Sequence, residues 1–156
     1  MTAEAEKLQR SVSTAVARHA GEPGPLLEIL HALQNDLGCV PPEAVPLLAD
    51  ALNLSRAEVH GVISFYHHFR QHAPGRYVVQ LCRAEACQSM NARALEEFVR
   101  GKLHVNFGET TADGRVTLEA VYCLGNCACA PAMMVNGELH GRVTPERFGE
   151  LAKEWG

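Results

Sequence analysis

The sequence predicts an α+β protein in two parts: an N-terminal helical bundle over residues 1–72 and a small sheet domain over residues 73–156. Three observations support this prediction. Apolar residues recur at helical spacing up to about residue 72, and an alternation with a period of two begins after the turn-like segment 73–76. Five of the six cysteines also fall in the second part. The composition, 47% hydrophobic and 21% charged, suits one ordinary domain or two small ones.

Four helices are predicted in the first part. Pro25 suits the first position of the second helix, and Gly38 suits its C-terminal cap. Ser55 and Glu58 have the spacing of a capping box that opens the fourth helix. Pro46 is compatible with the third helix only within its first turn. The predicted helices cover residues 3–19, 25–38, 41–52 and 56–68.

The second part predicts the order β-α-β-β-β-α. The pair Asn136-Gly137 is a strong two-residue hairpin signal between two of the strands. Thr144 is a suitable cap for the last helix, with Pro145 at its first position. A small sheet with helices packed on it, similar to half of a thioredoxin fold, accounts for this order. The predicted strands are 77–82, 115–123, 132–136 and 138–143, and the predicted internal helix is 91–103.

The charge and the first residues of the chain limit its partners and its compartment. A formal net charge of −4 argues against nucleic acid as the main partner, because nucleic-acid binding calls for a basic face. No apolar run approaches the roughly 20 residues needed to span a bilayer, and residues 1–20 lack the apolar stretch of a secretory signal. We therefore expect a cytoplasmic protein without membrane insertion. Structural disulfides are rare in that compartment, so the cysteines are better interpreted as metal ligands or redox groups.

Two pairs of cysteines stand out by their spacing. Four residues separate Cys82 from Cys87, and three separate Cys123 from Cys127. Structural zinc sites mostly use tighter C-x₂-C pairs, and a thioredoxin-like dithiol uses C-x-x-C. Plant-type ferredoxins use a C-x₄-C element for a [2Fe–2S] cluster, which needs four thiolates. The spacing favours an iron–sulfur site and leaves a zinc site or redox-active thiols open as alternatives.

Other residues of the second loop carry weaker expectations. Gly125 and Asn126 can adopt positive φ and so turn backbone N–H groups toward sulfur, although a plain tight turn would use the same residues. Cys129 is interpreted as a small buried apolar residue rather than as a ligand, and Cys39 as a core residue of the helical part.

These motifs resemble a known family. The run 82-CRAEAC-87 followed by 123-CLGNC-127, an Ala-Pro pair and a Val-Asn-Gly hairpin is similar to the thioredoxin-like [2Fe–2S] subunit of NAD-linked dehydrogenases. That family includes the corresponding subunit of complex I, part of NAD-reducing hydrogenases and the gamma subunit of NAD-dependent formate dehydrogenases. The resemblance extends to 108-GETTADGRVTLE-119 and to the segment 38–69 with its aromatic box, so it covers nearly the whole chain.

The resemblance implies a fold, a ligand set and partners. It implies a helical docking domain followed by a thioredoxin-like [2Fe–2S] ferredoxin domain, with one cluster held by Cys82, Cys87, Cys123 and Cys127. It also implies an electron-transfer subunit without catalysis of its own, docked on a partner that carries FMN, an NAD site and further clusters. The run 83–88 resembles the formate dehydrogenase gamma subunit most, which adds a molybdenum-containing subunit to the expected complex. Complex I, an NAD-reducing hydrogenase, a free-standing ferredoxin, a zinc-stabilised interaction module and a dithiol oxidoreductase remain alternatives.

Several further side chains are weighed against simpler interpretations. The histidines near the end of the fourth predicted helix point to different sides of it, which favours an exposed or partner-facing end over a metal site. The aromatic box is expected in the helix core, with docking as a secondary role. Arg83 is equally compatible with offsetting cluster charge and with facing a partner or solvent. These histidines are His67, His68 and His72, with His60 as packing or surface, and the aromatic box is Phe65, Tyr66 and Phe69.

Overall fold

The computed structural model describes residues 3–155 and divides the chain into two compact units, one up to Ala73 and one from Pro74 onward. The first unit is helical and the second combines helices with a four-stranded sheet, so the predicted α+β class is confirmed. The helices are α1 Ala3–Arg18, α2 Leu26–Leu37, α3 Ala44–Leu52, α4 Arg56–Phe65, α5 Glu85–Ser89, α6 Ala92–Leu103 and α7 Pro145–Lys153. The strands are β1 Tyr77–Cys82, β2 Val116–Val121, β3 Met133–Val135 and β4 Glu138–His140.

The helix ends in the first unit follow their capping residues closely. The capping box at α4 is complete, since Ser55 accepts from the Glu58 N–H and the Glu58 carboxylate accepts from the Ser55 N–H. Gly38 ends α2 with φ 82°, a left-handed conformation that glycine adopts without strain. Pro25 lies one position earlier than predicted, as the cap residue just before α2. Pro46 is the third residue of α3, within its first turn.

The core of the first unit forms where α1, α2, α3 and α4 bring their apolar faces together. Ile29, Leu30 and Leu33 of α2 lie fully buried against Leu48 and Val59. Burial of these and the other core side chains stabilises a helical unit whose single helices are too short to be stable alone. Among the described residues, no helix combines the length and the apolar character needed to cross a membrane.

The fourth helix ends three residues earlier than the predicted 56–68, and a buried glutamine explains where the following segment goes. Gln34 donates from Nε2 to the His68 carbonyl at 2.8 Å and accepts from the Arg70 N–H at 2.7 Å. Phe69 inserts into the core between these two contacts. The chain therefore leaves the helix at Tyr66, whose backbone is extended, because the side chain of Gln34 replaces the helical hydrogen bonds.

The expectation that the whole aromatic box belongs to the helix core is wrong for two of its three residues. Phe69 is buried, but it lies beyond the end of α4. The side chains of Phe65 and Tyr66 are 72% and 43% exposed. They lie at the C-terminal end of α4 and stack edge to face, so the first unit presents an aromatic pair to its surroundings.

The sheet of the second unit has the strand order β2-β1-β3-β4. Strand β1 runs parallel to β2, and Cys82 pairs with Val121 at the carboxyl end of the two strands. Strand β3 runs antiparallel to both β1 and β4. The connection between β1 and β2 passes through α5 and α6, as a parallel pair requires. The carboxyl ends of β1 and β2 therefore lie side by side.

The rest of the second unit matches the predicted order, with one added helix, a first strand with the predicted bounds and three shorter strands. Asn136 and Gly137 both have positive φ in the turn between β3 and β4, and Thr144 caps α7 through the Arg147 N–H. The core packs Val79, Leu118 and Phe148 from the sheet and α7. Helix α5 was not predicted because it has only five residues and no polar capping side chain.

Candidate metal centre

The parallel strands bring four cysteines to one end of the sheet. Cys82 is the last residue of β1, and Cys87 follows within α5. Cys123 comes two residues after Val121, the last residue of the neighbouring strand β2. Cys127 begins a 3₁₀ turn over Cys127–Cys129. The fold thus places the two loops that carry the four implied ligands at the same end of the sheet, although the loops are far apart in the sequence.

The second loop holds its two thiols close together. The Sγ atoms of Cys123 and Cys127 are 3.9 Å apart, and the N–H of Gly125 donates to the Cys123 Sγ at 3.3 Å. Gly125 has the expected positive φ, 75°, but Asn126 does not, since its φ is −104°. The other positive φ in this loop belongs to Cys123, at 133°. Such a backbone is rare outside glycine and is concentrated at functional loops, which supports a binding role for this turn.

The distance between the Cys123 and Cys127 sulfurs fits two thiolate ligands on one metal ion. Two thiolates on one tetrahedral metal, each about 2.3 Å from it as in zinc sites, lie roughly 3.8 Å apart. The 3.9 Å between Cys123 and Cys127 matches that arrangement. Within residues 3–155, no three His, Cys, Asp or Glu side chains converge as ligands of a single ion would. The thiols come as two pairs, and a [2Fe–2S] cluster is held by four cysteine thiolates.

The first pair is enclosed by the protein. Cys82 and Cys87 are 5% and 2% exposed and pack with Ala92, Ala130 and Ala132. Burial raises the pKa of the Cys87 thiol; a hydrogen bond from the Ala132 N–H lowers it, and the thiols of Cys82 and Cys127 raise it further. The effect of Cys127 on Cys87 connects the two loops, so the thiol pairs lie near one another. A backbone N–H directed at sulfur is the kind of contact that stabilises charge on a bound cluster.

The second pair is open to solvent, so the site is asymmetric. Both Cys123 and Cys127 are exposed, in contrast to the buried first pair. The hydrogen bond with Cys123 raises the pKa of the Cys127 thiol, and the Cys123 and Cys82 thiols add to the shift. One side of the site is therefore lined by small apolar residues, while the other side is open to solvent.

The remaining cysteines differ from each other in burial. Cys39 is buried in the first unit, as predicted, and burial raises the pKa of its thiol. Cys129 is half-buried, so the expectation of a buried residue is wrong. Its backbone carbonyl accepts from the Arg142 N–H at 2.6 Å, and its Cβ lies where Gly141 approaches. The contacts of Cys129 are therefore with the segment after β4.

The histidines near the end of α4 are exposed, whereas Arg83 contacts residues of its own unit. His67, His68 and His72 are all exposed, and they lie beyond the end of α4 rather than on it. His60 is also exposed. The Arg83 guanidinium lies 3.0 Å from the Glu96 carboxylate and over the Phe107 ring at 5.0 Å, so it is held against its own unit.

Three further residues contribute to the site and were not found in the sequence. Gln88 bonds to the Arg83 carbonyl, Ala132 donates its N–H to Cys87, and Gly141 packs against Cys129. An isolated glycine inside a predicted strand often marks a close backbone approach, and Gly141 lay inside the predicted strand 138–143. No comparable signal exists for Gln88 or Ala132, because their roles depend on how the loops close.

Comparisons with known proteins bear on the same residues. The family model described as "Thioredoxin-like [2Fe-2S] ferredoxin" matches residues 12–156. The "NADP-reducing hydrogenase subunit HndA" of Solidesulfovibrio fructosivorans is 31% identical over 150 residues, which cover 96% of this chain and 88% of that protein. One of the NADH-quinone oxidoreductase subunits of Escherichia coli K12 is 34% identical over 129 residues, which cover 83% of this chain and 78% of that protein.

A solved structure shares the fold. The crystal structure of an NAD⁺-reducing [NiFe]-hydrogenase in the H₂-reduced state contains a chain that superposes with a TM-score of 0.69 at 27% identity. The match covers 81% of this chain but 22% of the hydrogenase chain. In that enzyme, a segment with this fold is part of a much longer polypeptide.

Proposed function

We propose that this chain, which belongs to the thioredoxin-like [2Fe–2S] ferredoxin family, is the electron-transfer subunit of a cytoplasmic NAD-linked oxidoreductase complex. The observation that carries the proposal is the meeting of two thiol pairs at the carboxyl ends of β1 and β2, with 3.9 Å between the sulfurs of Cys123 and Cys127. We assign Cys82, Cys87, Cys123 and Cys127 as the ligands of one [2Fe–2S] cluster. When bound, such a cluster accepts and releases one electron at a time.

The residues around the thiols have distinct parts in this function. The Ala132 N–H donates toward Cys87 and lowers the pKa of that thiol, and the Gly125 N–H donates to the Cys123 sulfur. The buried pair excludes water from one side of the site, while the exposed pair leaves a short path to a partner. With four protein ligands there is no open position for a substrate, so FMN and NAD chemistry belongs to a partner subunit.

Metal analysis tests the ligand assignment. We expect two irons and two acid-labile sulfides per chain, a coloured protein and an electron paramagnetic resonance signal on reduction. Cys123→Ser and Cys87→Ser should lose the cluster or bind it poorly, whereas the matched Cys129→Ser should keep the wild-type spectrum. A colourless protein with one zinc per chain would overturn the proposal, as would a Cys129→Ser protein that bleaches while Cys127→Ser does not.

The helical unit is proposed to dock on the FMN- and NAD-binding subunit. A mostly apolar groove of about 640 Å³ is lined by Leu26, Leu54, Val62, Phe65 and Tyr66, together with Glu58 and Gly61. In the hydrogenase structure, the matched segment makes up 22% of a longer chain. This arrangement supports a stable association with a larger protein. The proposed occupant is therefore an apolar segment of the flavin subunit.

Gly61 gives a direct test of the docking surface. It lies in the same groove, and a Cβ at this position would meet no atom within 4 Å. Gly61→Arg should therefore fold normally but fill the groove with a long charged side chain and weaken co-purification with the flavin subunit. Gly101→Arg is a matched control, because position 101 is equally open but lies in the second unit. Normal co-purification of Gly61→Arg would refute the groove as the docking surface.

The finer proposal is that the complex is an NAD-dependent formate dehydrogenase with a molybdenum-containing subunit. It rests on the run 83-RAEACQ-88, which resembles the gamma subunit of such enzymes. Two alternatives follow from the relatives, a hydrogenase subunit and a subunit of NADH-quinone oxidoreductase. The complex purified from the native host should reduce NAD⁺ with formate. Reduction of NAD⁺ with hydrogen instead, or NADH oxidation by quinone without formate activity, would select the alternative.

A further inference from the structure

The first cysteine loop has a side chain that bonds across it. Helix α5 has five residues, and its cap residue Ala84 offers no side chain that could bond to a free N–H group. Such a short helix has little stability by itself, because one turn fixes several residues for very few hydrogen bonds. Besides the backbone bond from the Gln88 N–H to the Ala84 carbonyl, the loop is closed by the Gln88 side chain, whose Nε2 donates to the Arg83 carbonyl at 2.6 Å. This bond links Arg83, the residue after Cys82, to Gln88, the residue after Cys87.

The amide of Gln88 is held in one orientation by a second helix. Its Oε1 accepts from Nη2 of Arg93 at 3.0 Å and more weakly from Nε at 3.3 Å. The amide oxygen therefore faces α6, and the amide nitrogen has to face the Arg83 carbonyl. The side chain of Arg83 is tied to the same helix through Glu96, at 3.0 Å. Main chain and side chain of Arg83 are thus both anchored to α6.

We propose that Gln88 is a positioning residue that sets the separation of the Cys82 and Cys87 thiols by clamping the loop between them to α6. The proposal rests on the function proposed above, in which these two thiols are ligands. The essential part is the N–H donor directed at the Arg83 carbonyl, since this contact spans the loop, whereas the contact with Arg93 only orients the amide.

The near-isosteric substitution Gln88→Glu separates the two contacts. A carboxylate keeps, and even strengthens, the contact with Arg93, but it has no N–H and places an oxygen against the Arg83 carbonyl. Amide hydrogen exchange over residues 83–88 of the iron-free protein should then accelerate roughly fivefold, the factor expected for losing one such hydrogen bond. Exchange in β2 and α7 should stay as in the wild type. In the loaded protein, the visible circular dichroism should shift and the cluster should be lost faster.

The same substitution at an exposed glutamine is the matched control. Gln71 is exposed and lies in the first unit, so Gln71→Glu should leave both measurements unchanged. Wild-type exchange over residues 83–88 in Gln88→Glu would overturn the proposal, because it would show that the contact with Arg93 is sufficient. A wild-type protein that binds no iron would instead refute the proposed function, and the exchange experiment would still decide whether Gln88 holds the loop.

Discussion

Gly141 should be intolerant of even one added methyl group, because the second cysteine loop packs directly onto it. A Cβ on Gly141 would lie 2.7 Å from the Cβ of Cys129, 2.9 Å from its carbonyl oxygen and 2.7 Å from the Asn126 amide nitrogen. The Asn126 side chain can rotate away, but the two Cys129 atoms belong to or adjoin the backbone. We therefore predict that Gly141→Ala displaces the turn that carries Cys127.

The size of the effect follows from these distances. Ordinary contact begins near 3.4 Å, so atoms at 2.7 Å must separate by about 0.7 Å. The hydrogen bond from the Arg142 N–H to the Cys129 carbonyl, 2.6 Å long, resists that movement. Overpacking of this kind typically costs about 1–3 kcal/mol. In a domain of this size, 2 kcal/mol corresponds to roughly 10 °C in Tm.

The chain contains a built-in reporter for this measurement. Trp155 is the one tryptophan in the sequence, and it packs against Tyr77 and Phe148 in the core of the second unit. Urea unfolding of the iron-free protein, followed by tryptophan fluorescence, should show a lower midpoint for Gly141→Ala with little change in slope. The reconstituted variant should also show an altered visible circular dichroism spectrum.

A second glycine provides a control for which the change in stability should have the opposite sign. Gly101 lies within α6, and a Cβ there would meet nothing within 4 Å. Gly101→Ala should therefore stabilise the protein by about 0.5–1 kcal/mol, because alanine loses less backbone entropy in a helix. If Gly141→Ala unfolds at the wild-type midpoint and keeps the wild-type spectrum, the close approach does not hold the loop in place.

Three further predictions concern the scaffold. Gly75→Ala should destabilise the second unit by more than about 1 kcal/mol in the same fluorescence assay, because its Cβ would lie 2.8 Å from the backbone of Arg115, which has no freedom to rotate away. Ser55→Ala should lower the free energy of unfolding of the helical unit by about 1 kcal/mol, measured by far-ultraviolet circular dichroism, since it removes the cap that bonds the Glu58 N–H; an unchanged value would show that the cap contributes nothing. The pKa of Asp113 is lowered to about 2, chiefly by a hydrogen bond from the Thr111 hydroxyl. The ionised carboxylate therefore stabilises the fold fully above pH 4, and this stabilisation disappears toward pH 2. The difference in unfolding free energy between wild type and Asp113→Asn should stay constant from pH 7 to pH 5 and shrink between pH 4 and pH 2.

Local signals in the sequence predicted the parts of the fold that local chemistry controls. The capping box at Ser55, the hairpin at Asn136-Gly137 and the cap at Thr144 are confirmed because each depends on residues within a few positions. The end of α4 was not predictable in this way. It is set by Gln34, which lies in another helix and whose side chain bonds to the segment after Tyr66.

The same distinction applies to the site. Spacing alone indicated two cysteine pairs, and the parallel register of β1 and β2 brings those pairs together. The contacts that shape each loop were less accessible to sequence analysis. Asn126 was expected to have the positive φ that Cys123 adopts, and the donor to Cys87 proved to be a backbone N–H from Ala132, which has no sequence signature.

The parallel pairing of β1 and β2 has a consequence for finding similar proteins by motif. The meeting of the two cysteine loops is fixed by the register of Cys82 with Val121, not by the number of residues that connect the strands. Insertions or deletions between α6 and β2 can therefore accumulate without moving either loop. A search pattern for such proteins should hold the spacing within each cysteine pair nearly constant and leave the interval between the pairs free.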